Sequence, residues 1–159
     1  MKKRKRNDVI VKGFYRVKIG LNRDDGKVDV LGDSGWVENT VTNDGLNNYI
    51  AASVGAVAGS KQFLYMVLAT QTAAVSATAT SLSGEVANRK AVSASTIATG
   101  TFQATASWSS SDITTQYTIG AVGMYNTSSG GTLGAGQTFA TSVWATNQNV
   151  SATYQLRFS

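Results

Sequence analysis

The sequence contains no cysteine, no histidine and no proline among its 159 residues. The missing cysteines exclude disulfide frameworks, thiolate nucleophiles and zinc knuckles together, without assigning a redox compartment. The missing histidines remove the usual proton acceptor from every serine in the chain. Charge is scarce as well. Between residues 39 and 159 only Asp44, Lys61, Glu85, Arg89, Lys90, Asp112 and Arg157 ionise at neutral pH. Long apolar runs are also lacking. The longest weakly polar stretch, residues 49–57, falls far short of the ~20 residues a membrane-spanning helix needs. The start has the positive flank of a secretory signal, but Asp8, Lys12 and Arg16 interrupt any apolar region behind it. These absences predict a soluble, non-enzymatic chain, made in its cytoplasm of origin without an export signal and with no membrane partner.

The net charge of +5 sits entirely in Lys2, Lys3, Arg4, Lys5 and Arg6, and the residues beyond carry nine basic and nine acidic side chains. Residues 1–8 read as a basic arm and residues 9–159 as one domain, large enough to form its own core. Three readings of the arm stand side by side: a solvated tail, a device that docks on an acidic partner surface, or a non-specific contact to nucleic acid. Nucleic acid is disfavoured except through the arm, because specific readers spread cations over a folded face.

Five Phe, six Tyr and three Trp argue against disorder despite the Ala/Ser/Thr-rich tract at 71–83. Residues 9–21 are rich in β-branched and aromatic side chains and read as a strand, followed by a turn at 22–27 with Asp25-Gly26 as its φ > 0 pair and a return strand at 28–31. The run 62–70 suits a central strand buried on both faces, and 92–107, 117–125 and 132–140 read as further strands. Residues 150–158 alternate cleanly, with Val150, Ala152, Tyr154, Leu156 and Phe158 on one side. One helix is expected over residues 44–54, capped by Thr42 or Asn43, with Leu46, Tyr49 and Ile50 on its packing face. The whole predicts an all-β fold of about eight strands, a single antiparallel β-sandwich of jelly-roll or Ig-like type with one short helix.

A search for chemistry finds little. Asp24, Asp25, Asp29 and Asp33 are rich in oxygen ligands, but they lack calcium-loop spacing and suit a hairpin turn. Glu85 and Asp112 lie in different segments with nothing to set them apart as acid and base. No phosphate-binding glycine loop is present. No catalytic, metal or cofactor-binding residues are assigned, and no cofactor is expected. Trp36, Trp108 and Trp144 raise the idea of sugar stacking. Trp108 and Trp144, near predicted strand ends, are candidate exposed aromatic contacts, although tryptophan more often fills cores and interfaces. Glu85, Arg89 and Lys90 form either an ion-pair cluster or a solvated loop.

Three stretches together carry a resemblance: Gly35-Trp36-Val37-Glu38-Asn39-Thr40-Val41-Thr42-Asn43-Asp44-Gly45-Leu46, then Leu82 with Glu85, Arg89 and Lys90, then Ile119 to Asn126 followed by Gly130-Gly131-Thr132-Leu133 and Phe139. Their order resembles small structural proteins encoded in the virion modules of tailed bacteriophages, over residues 35–159. The sequence departs at Ala121, where a glutamate is usual. The resemblance implies a β-sandwich component of the virion, a multi-copy accessory or decoration protein on the capsid, fibre or tail. It implies other virion proteins as partners, a homo-oligomer, and no catalytic residues. On that reading Lys2 to Arg6 form an attachment arm outside the shared module. The alternative is a host-surface carbohydrate-binding module of a phage fibre, acting through exposed tryptophan or tyrosine.

Overall fold

The computed structural model describes residues 9–159. The basic residues Lys2, Lys3, Arg4, Lys5 and Arg6 therefore lie outside the described residues. Ten strands follow one another: β1 Val11–Asn22, β2 Val28–Asp33, β3 Val37–Val41, β4 Tyr65–Ala69, β5 Glu85–Ala91, β6 Ser93–Ala98, β7 Thr101–Trp108, β8 Tyr117–Tyr125, β9 Leu133–Trp144 and β10 Asn149–Phe158. A helical segment, Gly45–Ala51 running into Ala52–Val54, lies between β3 and β4. No helix among the described residues is long and apolar enough to cross a membrane.

The chain is mostly antiparallel β with one short helix, as its alternation predicts. The sheet is nearly closed and barrel-like, without a clear division into two separate layers. The strands make one continuous, nearly closed sheet in the order β5-β4-β8-β9-β3-β1-β10-β7-β6, with β2 beside β1. The reason lies in β3, which the sequence pattern does not reveal as a strand. Residues 37–39 pair with β1, whereas Thr40 and Val41 pair with β9, so one short strand turns the corner between two curved halves. At the opposite side the sheet's two ends, β5 and β6, are separated in sequence by Val92 alone, whose N–H donates to the Leu64 carbonyl.

Period-two burial places the core inside this closure. Tyr15, Val17 and Ile19 of β1, Ala104, Ala106 and Trp108 of β7, and Val150 to Leu156 at alternate positions of β10 all face inward. Tyr15 crosses the interior, donating its hydroxyl to the Ala135 carbonyl of β9 at 3.1 Å. The expected alternation of β10 holds through Leu156, while Phe158 emerges at the mouth and is 40% exposed. Strand β4 is buried on both faces as predicted. Met66 and Leu68 enter the main core, and Val67 and Ala69 pack outward against Val75, Leu82 and Tyr125. The Ala/Ser/Thr-rich tract at 71–83 thus covers the outer side of β4 and β8.

Other boundaries differ from expectation for local reasons. Residues 92–107 form two strands, broken where Gly100 takes φ +66 beside the Phe158 carbonyl. In the first hairpin only Gly26 has positive φ, because the Gly26 N–H closes on Arg23 and the Arg23 N–H on Lys27, a turn needing one left-handed residue. Of the two expected caps, Thr42 rather than Asn43 serves, its Oγ1 accepting the Gly45 N–H at 3.0 Å. The turns after it are π-wound, with the Ala52 N–H reaching back to the Asn47 carbonyl. This wider winding shifts the phase of the side chains. Tyr49 and Ile50 face the core, but Leu46 does not and is 42% exposed.

Candidate functional site

Trp108 and Trp144 are fully buried, which corrects their reading as exposed contacts. Each closes a strand on its inward side, where the indole fills volume and its N–H finds a carbonyl: Asn88 at 3.1 Å for Trp108 and Gln148 at 2.8 Å for Trp144. The half-exposed tryptophan is Trp36, just before β3.

The acidic residues of the first hairpin serve the turn and its flanks. Asp25 accepts the Lys27 N–H, and Arg23 bridges Asp25 and Asp29, each at 3.3 Å. Among the described residues no three His, Cys, Asp or Glu side chains gather in a metal-ligating group. Asp33 ties β2 to β1 through Arg16 at 2.6 Å. The Arg16 hydrogen bond, aided by the Gly35 N–H and opposed by partial burial, lowers the Asp33 pKa from 3.8 to about 2. A carboxylate lowered in the folded state adds stability above its unfolded pKa and loses it as pH falls through the folded one. Acid titration should therefore weaken the β1–β2 hairpin between these two values, read as faster amide exchange at Val28–Asp33. Asp33→Asn should remove that pH step.

Glu85 and Asp112, the two late acids, are each occupied by a cation. Lys90 approaches Asp112 at 2.5 Å, and Arg89 grips Glu85 through two hydrogen bonds at 2.8 and 3.0 Å. Burial works against the Asp112 carboxylate, but the Lys90 and Ser109 hydrogen bonds outweigh it and leave the pKa lowered. The ion-pair reading therefore holds for Glu85 and Arg89, on strand β5 rather than a loop, whereas Lys90 leaves that cluster to pair with Asp112. A concavity of about 520 Å³ lies between Val28 and Val30 of the first hairpin and the Lys90–Asp112 pair.

An apolar groove of about 390 Å³ opens at the helix-side mouth of the sheet, between the helix and the ends of β6, β7 and β10. Its floor is aromatic. Tyr49 stacks on Phe63 with centroids 4.8 Å apart, and Phe63 in turn meets Phe102 and the buried Tyr154. Its rim holds Val54, Leu64 and Phe158; Val54 is 87% exposed and the other two are exposed as well. Lys61 stands beside the rim, bound to Asp44 at 2.9 Å, and Asp44 also accepts the Thr132 hydroxyl at 2.6 Å. The Tyr49 hydroxyl donates to the Thr132 carbonyl. The groove is thus built on a helix locked to the start of β9.

Two of the stretches that carry the sequence resemblance meet at this lock. Thr42 donates its hydroxyl to the Leu133 carbonyl at 2.6 Å, and Gly45 lies directly on the backbone of Gly134. Ala121, the departing position, is fully buried in the outer apolar cluster with Tyr125 and Leu82, where a carboxylate would be stripped of water. Sequence reasoning missed the groove, since Phe63, Phe102 and Phe158 come from three separate segments. The available signal was apolar side chains at strand ends, where the alternation of β10 continues to Phe158 with no element left to cover it. Comparison with protein-family models, with curated proteins and with solved structures returned no match.

Proposed function

We propose that this chain is a non-enzymatic structural subunit of a tailed-phage virion, a multi-copy accessory on the capsid, fibre or tail held by protein–protein interfaces. The observation that carries the reading is the aromatic-floored groove with its exposed apolar rim of Val54, Leu64 and Phe158. Contiguous apolar surface of this kind marks a place where another protein sits. The virion assignment is supported by the ordered resemblance over residues 35–159. The two curved halves of the sheet, β2-β1-β10-β7-β6 and β5-β4-β8-β9, are compatible with the flattened, jelly-roll-like form of sandwich expected of such a subunit. A neutral, hydroxyl-rich body also lowers the desolvation cost of covering much of its surface with neighbours. The basic arm, Lys2 to Arg6, then adds electrostatic attachment to an acidic neighbour.

The double variant Val54→Asp/Leu64→Asp tests the reading. Both side chains are exposed, so the thermal midpoint should stay within a few degrees of the parent. Self-association in sedimentation velocity, or incorporation into particles, should fall at least about tenfold, because a buried carboxylate without a partner opposes docking. Unchanged assembly in both measurements would overturn the proposal.

A further inference from the structure

The outer face of β1, β10 and β7 carries a guanidinium whose position is fixed by stacking and hydrogen bonds. Arg157 of β10 stacks over the Phe14 ring of β1 at 4.2 Å and reaches within 5.8 Å of the Trp36 ring. Its Nε and Nη2 both donate to the Gln155 side-chain oxygen, at 3.0 and 2.6 Å. Gln155 is itself nearly buried and donates to the Gln103 amide oxygen at 2.8 Å. The fork is therefore fixed in plane and direction, and among the described residues Nη1 makes no hydrogen bond. The neighbouring cations differ in this respect, since Lys12 is paired with Glu38 and Arg16 with Asp33. Arg157 has no carboxylate partner among the described residues, although a stacked, oriented guanidinium is the form that binds carboxylates best.

We propose that this face binds an anionic polysaccharide, with Arg157 taking a sugar carboxylate and Trp36 stacking on the sugar ring. The inference goes beyond the structural role above. The choice of ligand comes from what surrounds Arg157. Outward positions are hydroxyls and amides, Thr101, Gln103 and Thr105 on β7 and Thr153 and Gln155 on β10, in register across the two strands. The threonine hydroxyls of this face offer hydrogen bonds to an extended, hydroxyl-rich polymer, while Thr101, Thr105, Thr153 and Arg157 line none of the concavities that would take the side chains of an acidic peptide. The half-exposed Trp36 supplies the apolar surface that the C–H face of a sugar ring needs, while the Phe14 ring supports Arg157.

The test titrates the full chain with hexagalacturonate, neutral maltohexaose and hexaglutamate while following the tryptophan indole N–H resonances. Hexagalacturonate should shift Trp36 and leave buried Trp108 and Trp144 in place, and the binding should weaken with added salt. Trp36→Ala and Arg157→Gln should each weaken it at least tenfold. Arg157→Lys should weaken it too, since lysine keeps the charge but neither the stack nor the fork. Tighter binding of hexaglutamate would overturn the proposal in favour of an acidic peptide surface. No shift with any probe, equal binding of maltohexaose, or an unaffected Arg157→Gln would overturn it outright. The assembly variants at Val54 and Leu64 leave Trp36 and Arg157 in place, so the two proposals fail independently.

Discussion

Gly45→Ala should undock the helix from the sheet and lower the thermal midpoint by roughly 6–12 °C, the shift expected for about 3 kcal/mol in a domain of this size. The cause is space. A methyl at residue 45 would lie 1.9 Å from the Gly134 carbonyl oxygen and 2.8 Å from its carbon. Those atoms are backbone of β9, held between β3 and β8, and have little freedom to retreat. Helix propensity works the other way, favouring alanine by about 1 kcal/mol. Overpacking alone costs about 1–3 kcal/mol. Displacement adds to it, because Gly45 shares its support with Thr42, whose N–H donates to Gly134 and whose hydroxyl donates to Leu133. Losing these leaves buried polar groups unpaired, so the steric effect should win. Calorimetry of the variant reads the loss, and limited proteolysis should cut sooner between residues 55 and 62. An unchanged melt would mean the helix does not rest on β9.

Arg89→Ala should cost about 2–4 kcal/mol in urea unfolding, the other large single-site effect. The Arg89 side chain is only 8% exposed. Besides Glu85, its Nη1 donates to the Thr127 and Gly130 carbonyls at 3.2 and 2.6 Å, and its guanidinium lies 3.5 Å over the Tyr125 ring. Truncation would release the β8–β9 turn and strand the Glu85 carboxylate. Breaking a fully buried pair typically costs about 3–5 kcal/mol. The lower figure expected here reflects Glu85, whose side chain keeps 28% of its exposure and so some of its hydration. Arg89→Lys should lose most of the same stability, because an ammonium cannot bond Glu85 in parallel and both carbonyls at once. Glu85→Ala combined with Arg89→Ala should cost less than the two separately, since no charge is then left behind. Additivity in that cycle would show that the pair is not coupled.

The chemistry of Arg89 also shows how far sequence reading could reach. Glu85, Arg89 and Lys90 were visible as charges in a charge-poor chain. A regular strand spaces residues four apart by about 13 Å, too far for the observed bond. Ala87 closes the gap by taking φ +57, and the β4–β5 register slips there. No local signal predicts a left-handed alanine, a conformation that costs energy and persists only when its surroundings enforce it. Trp108 and Trp144 make a related point. Their neighbours Ser, Thr and Ala suited a strand end, but whether a strand end lies inside or outside depends on what packs across it.

Alternation in β10, two-sided burial of β4, a helix cap at Thr42 or Asn43 and the confinement of net charge to Lys2–Arg6 were determined by the sequence alone. Each depends on residues a few positions apart, and local period, capping chemistry and charge follow directly from side-chain identity. Tertiary structure alone decided that β3 joins two half-sheets, that Tyr15 spans to Ala135, that phenylalanines from three segments line one groove, and that Phe14, Trp36 and Arg157 meet on one face. Those contacts join positions tens of residues apart or more. Period two says which residues share a face of a strand, but not which strand lies beside it, and that choice belongs to the closure of the whole sheet.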